Sequence, residues 1–334
     1  MWILSNLSKH HKLMDNQNET RGVVENFRAD FLNCWGQLPN KGLFFGLLAA
    51  WLALFHFLGN ATFGYLNTPS LLRWMYLAYS SGDGQDGHGN LIPFVVLVLF
   101  WWKRQELLTL ALKIWWPGQL LIVLALGLHV VGYLVQQPRV SIIALFVGIY
   151  GLMGLVWGAA WLRASFFPFF LFAFCVPFGS LGESVTFPLR LLVTKISVGI
   201  SHGVLGIDVI REGSQIFDSQ HSFRYDVAPA CSGIRSLISL LALTTIYGFV
   251  SFKAGWKRLL MMLVAVPLAV VGNVVRITGV IVIAEAFGQD AGAWFEQKFG
   301  WVTFAVAIAC VLLLGSWLRE REVEPALPLV AKPI

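Results

Sequence analysis

The chain has 334 residues, of which 57% are hydrophobic and only 13% charged, with a mean hydropathy of +0.70. Soluble domains carry about 25% charged residues, so this composition excludes an ordinary soluble domain and indicates a multi-pass membrane protein. The net charge of +6 is spread beside apolar runs rather than gathered in a stripe, which argues for orientation in a bilayer and against a nucleic-acid partner.

Residues 1–40 are polar and mixed in charge, with no secretory signal pattern, and read as a cytoplasmic N-terminal tail. Eight apolar spans follow within residues 41–320, at about 43–58, 89–102, 118–135, 140–161, 166–178, 233–252, 259–287 and 301–318. They predict an all-α polytopic bundle of about eight transmembrane helices with a small outer-face loop region. The second and fifth spans are short for a hydrocarbon core that needs about 20 residues. The second could start earlier, near Asp86, and the fifth carries Pro168 and Pro177 and could be broken or re-entrant. Residues 321–334 read as a cytoplasmic C-terminal tail.

Basic residues orient the spans. Lys103, Arg104 and Lys113 follow the second, Arg163 the fourth, Lys253, Lys257 and Arg258 the sixth, and Arg319 and Arg321 the eighth. All fall on the cytoplasmic side if both termini are there; Arg73 and Arg139 are exceptions. Residues 179–230 then face outward. Phe187 to Leu205 has a helical apolar pattern but carries Arg190, Lys195 and His202, so it is expected along the interface. Residues 206–213 and 222–227 alternate and read as a small hairpin leading into Cys231.

The four cysteines show no metal spacing. Cys175 and Cys310 lie in apolar runs as small core residues, and Cys34 lies in the tail. Only Cys231, in Pro229-Ala230-Cys231-Ser232-Gly233-Ile234-Arg235-Ser236, has polar and charged neighbours. A thiol at a helix start with a cation one turn away, here Arg235, is where the thiolate is favoured. Arg276 sits inside an otherwise apolar span, with Asn273 at i−3 on the same face. A charge there costs several kcal/mol and pairs, faces a cavity, serves function, or snorkels. Counted from the cytoplasmic ends of their spans at 1.5 Å per residue, Cys231, Arg276 and Glu296 reach roughly 32, 26 and 33 Å, and His88 roughly 21 Å. His56 and His129, within apolar spans, read as helix contacts. The glycine-rich 82–89 stretch lacks the features of a phosphate loop. No nucleotide, metal or haem site is visible, and no cofactor is expected.

At these residues the chain resembles the exosortase/archaeosortase family of polytopic membrane cysteine proteases. The likeness rests on Gly87-His88-Gly89-Asn90-Leu91-Ile92-Pro93, Val209-Ile210-Arg211-Glu212-Gly213, Ala228 to Ser236, and Asn273-Val274-Val275-Arg276, and extends over roughly 43–318. The resemblance implies Cys231 and Arg276 as catalytic residues. It also implies a third, basic residue four positions before Gly300, where this chain has Glu296 instead. Glu296 could itself take the proton; His88, His202, His221 or Lys298 could substitute; or activity is altered or lost. Arg235, Asn273 and His88 are supporting candidates. The implied activity is cleavage, through a thioester on Cys231, of the C-terminal sorting signal of secreted proteins. That signal is a short motif, a membrane helix and a basic end, cut at the outer face of the cytoplasmic (inner) membrane, often alongside exopolysaccharide production. The partners would be those substrates and membrane lipid. The competing readings are a transporter using Arg276 and Asn273, and a noncatalytic component of an exopolysaccharide or protein export system.

Overall fold

The structure, a computed structural model, describes residues 22, 25–62, 67–80, 86–177, 179–218, 224–226 and 234–319. The protein is an all-α membrane protein with one small antiparallel sheet. Among the described residues four helices are long and apolar enough to cross a membrane: Lys41–Leu58, Pro138–Trp157, Gly255–Phe287 and Lys298–Trp317. Shorter apolar helices at Ile92–Trp102, Gly118–Leu134, Ala159–Cys175 and Leu237–Ser251 occupy the other four expected spans. The chain forms two compact units, Met1–Tyr76 with Leu91–Val176, and Leu77–Asn90 with Pro177–Ile334.

The first unit contains α1 (25–37), α2 (Lys41–Leu58), most of α3 (Leu71–Tyr79), α4 (Ile92–Trp102), α5 (Arg104–Leu108), α6 (Gly118–Leu134), α7 (Pro138–Trp157) and α8 (Ala159–Phe170). The sequence offered no structure for residues 1–40, yet α1 is a helix within them. α6 and α7 pack with their backbones nearly touching. A Cβ on Gly118 would lie 2.8 Å from the Gly151 carbonyl oxygen, and one on Gly151 would lie 2.9 Å from that of Gly118. Lipid tails are as apolar as leucine, so such small-residue contacts supply the association that hydrophobicity cannot. His129 adds a 3.1 Å hydrogen bond to Ser141, and His56 makes one of the same length to Ser70; both histidines are helix contacts, as expected. The Gly151→Val variant should lose about 1–3 kcal/mol by overpacking, read as a lowered thermal midpoint of the purified protein.

The fourth and fifth spans divide elsewhere than expected. Gly158, at φ 96, ends α7, and a side chain there would run into the Lys113 carbonyl. α8 therefore starts at Ala159 and includes Arg163, which was expected in a loop. Beyond Pro168 the helix tightens into a 3-10 segment, Leu171–Cys175, with Cys175 buried.

The second unit contains α9 (Gly179–Gly203), β1 (Val209–Glu212), β2 (Gln215–Asp218), β3 (Arg224–Asp226), α10 (Ile234–Ser251), α11 (Gly255–Phe287) and α12 (Gln289–Trp317). The two stretches read as partners in one hairpin do not pair with each other. The sheet order is β1-β2-β3, with Val209 opposite Asp218 and Ile216 opposite Tyr225. β1 and β2 form the hairpin through Gly213, whose φ of 63 suits the first loop position of a two-residue turn. β2 escaped notice because only two residues, Ile216 and Phe217, separate its polar ends. Val209 and Ile216 share one sheet face and bury against Val193 of α9 and Val274, Ile277 and Ile281 of α11. The sheet is thereby fixed on α11, and β3 leads the chain towards Cys231.

Candidate active site

α11 and α12 run back against each other through Gly288, whose φ of 92 glycine adopts without strain. Close packing near the turn follows from small residues: a Cβ on Gly292 would meet Cβ of Ala284 at 2.8 Å, and one on Gly279 would meet the Phe295 ring at 2.9 Å. This geometry brings Arg276 of α11 to Glu296 of α12. Arg276 Nη2 donates to the Glu296 backbone carbonyl at 3.3 Å and lies 3.9 Å from its Oε1. The side chains are 21% and 31% exposed, so solvent screens the pair less than it would at a free surface. Gly300, one turn beyond Glu296, lies alongside the cation: a Cβ there would be in ordinary contact, 3.5 Å from the guanidinium carbon. Asn273 is buried on α11 one turn before Arg276.

Two of the three residues expected at one height thus meet. Their helices agree: Arg276 lies 21 residues after Gly255 and Glu296 21 residues before Trp317, each roughly 32 Å along its axis. α10 begins at Ile234, 17 residues before Ser251, roughly 26 Å along. Helices α10, α11 and α12 share a core of Leu240, Met261, Ala265 and Val311. Cys231 lies outside the described residues, three positions before α10 begins; Arg235 is the second residue of α10, its side chain likewise outside them. His88 is half-buried on a 3-10 turn, Gly87–Asn90, of the same unit. That turn is held by the Gly89 N–H donating to Asp86 O at 2.9 Å, and Gly89 is packed on the Tyr79 ring so closely that a Cβ would lie 2.5 Å from it.

The alternative bases fare differently. His202 is mostly exposed and sits 3.1 Å from Asp208, an arrangement that ties the end of α9 to the start of the sheet. Lys298 is exposed on α12, and His221 lies outside the described residues. Among the described residues no group of three His, Cys, Asp or Glu is placed to hold a metal ion.

Sequence reasoning missed a buried polar stripe on α9. Arg190, Thr194, Ser197 and Ser201 recur at helical spacing and are all buried, Arg190 at 7% exposure. Ser197 reaches the Val274 carbonyl of α11 at 3.5 Å, whereas Lys195 and His202 face out. Counting Arg190 among the solvated charges hid the pattern; the 4-3-4 spacing of small hydroxyl residues behind it was the available signal. The comparison with protein families completes these observations. The model described as transmembrane exosortase matches residues 74–313, more than two thirds of the chain. No curated protein and no solved structure gives a match to the chain.

Proposed function

Because the chain belongs to the transmembrane exosortase family, we propose that it is a membrane cysteine transpeptidase or protease that cuts the C-terminal sorting signal of secreted proteins. The observation that carries this reading is the Arg276–Glu296 pair, held beside the helix that follows Cys231. The Cys231 thiolate attacks the scissile carbonyl carbon. The carbonyl oxygen takes up the electron pair, and the C–N bond then breaks, leaving a thioester and a departing amine that gains a proton. Water or an amine releases the acyl group in a second step. Arg276 stabilises the oxyanion, a role suited to a guanidinium with five donors in a fixed fork. Arg235 favours the thiolate by charge, and Asn273 and His88 support the site. The reaction takes place at the outer face of the cytoplasmic membrane, with both termini cytoplasmic.

Glu296 acts in this scheme as a positioning residue. Its backbone carbonyl and carboxylate both hold the guanidinium, an arrangement that a basic residue at this place would not give. Glu296→Gln should therefore keep activity within about tenfold of wild type with an unchanged pH–rate profile, whereas loss of a general base costs roughly 10²–10⁴ and removes one limb of the profile. The function as a whole is tested by co-expression with a secreted protein carrying a motif, a membrane helix and a basic end. Processing is expected with the wild-type chain. Equal processing by a Cys231→Ala, Arg276→Gln double variant would favour a noncatalytic export component instead.

A further inference from the structure

We propose that the aromatic cavity of the first unit binds one anionic phospholipid, its acyl chain inside and its phosphate at Arg104. The cavity measures about 390 Å³ and is walled by α1, α2, α4, α5, α7, α8 and the 3-10 segment Leu171–Cys175; apart from Cys34 and Arg104 its lining is apolar. One wall is α1, whose Phe27, Phe31 and Trp35 share a face. The Phe27 ring lies tilted against Trp101 at 5.0 Å, Phe31 stacks on it at 6.1 Å, and Trp35 lies 5.2 Å from Phe45. Glu25 lies off that face by helical spacing, and Asp30 reaches Arg104 at 3.3 Å. Such a helix lies in the membrane interface, which puts the cavity beside lipid headgroups.

Two observations define the occupant. First, Trp161 lines the cavity, is 5% exposed, and its indole N–H has no hydrogen-bond partner among the described residues. The N–H groups of Trp157 and Trp51 do have partners, the carbonyls of Pro39 at 2.9 Å and Leu145 at 3.0 Å. A buried indole N–H usually finds an acceptor, and a lipid ester carbonyl supplies one. Second, Arg104 is the charged residue in the cavity lining. Arg104 lies over the Trp101 ring at 4.3 Å and meets Asp30 at 3.3 Å. Asp30 is 61% exposed, so this ion pair is weak and a phosphate can compete for the cation.

The test uses the full chain freed of bound lipid. It is incubated with phosphatidylglycerol, with phosphatidylcholine of the same acyl chains, or with glycerophosphoglycerol, which has the headgroup alone, and bound lipid is counted by native mass spectrometry. The wild-type chain should retain one phosphatidylglycerol, preferred about fivefold over phosphatidylcholine, the value of one basic side chain near anionic lipid. The headgroup alone should not bind. Leu48→Trp, which fills the cavity, should lower retention about tenfold, the loss of roughly two buried methylenes. Leu97→Trp, at an exposed lining position, is the second filling variant should Leu48→Trp fail to fold. Arg104→Gln should bind both lipids equally. Retention unchanged in the filling variant that folds, a preference unchanged in Arg104→Gln, no preference in the wild type, or binding of the free headgroup would each overturn the proposal.

Discussion

Cys231→Ala is expected to abolish processing of a secreted substrate, with a loss on the order of 10⁴- to 10⁶-fold, the range seen when one member of a catalytic unit is removed. The variant should remain in the membrane at the wild-type level, because the spans that anchor the chain lie elsewhere. Cys231→Ser should be nearly as inactive, since a hydroxyl has no thiolate to supply at neutral pH. The measurement is the size shift of the substrate in intact cells, scored against the amount of enzyme. The other cysteines serve as controls. Cys175 is buried at 1% exposure and Cys310 is partly buried in α12, so neither is open to an extended substrate, and their replacement by alanine should leave processing intact.

The second large effect is at Arg276. Arg276→Gln should slow cleavage roughly 10²- to 10³-fold, the loss expected for one oxyanion donor in a water-poor site. Substrate binding should change much less, because the oxyanion exists only in the transition state. Arg276→Ala would also leave the partly buried Glu296 carboxylate without this cation, so part of its effect would be on stability. Arg276→Lys separates the two: it keeps a charge for Glu296 but loses the fork. A stable Arg276→Lys protein with an activity deficit near that of Arg276→Gln locates the defect in catalysis; full activity would mean that charge alone suffices.

Much of this architecture was legible because its signals were strong. Eight apolar segments matched helices, as lipid demands that backbone groups be satisfied within each segment. Arg276 and Glu296 were placed at one level by counting residues along their helices, and they meet. What escaped was set by packing. Nothing local distinguishes Gly158, which ends α7, from other glycines; its role depends on the Lys113 carbonyl beside it. β2 is four residues long and derives its place from Ile216 docking on α11. Arg190 looked solvated because the faces of α9 could not be assigned without α11 beside it. α1 is amphipathic, but its aromatic face gains meaning only from Trp101 and Phe45 across from it. Glu296 stood out as a departure from the family pattern, and its contact with Arg276 turns that departure into a structural role.

Proximity of the Cys231 sulfur to position 276 is the measurement on which the catalytic account stands. In a chain with Cys34, Cys175 and Cys310 replaced by alanine, Arg276→Cys is treated with a short bifunctional thiol reagent and digested for mass spectrometry. The Arg276→Cys, Glu296→Cys pair, in a Cys231→Ser background, supplies a positive control from the observed contact. The account predicts an intramolecular bridge between residues 231 and 276 comparable in yield to the control. Single adducts at both positions with no bridge, beside a control that bridges, would contradict it.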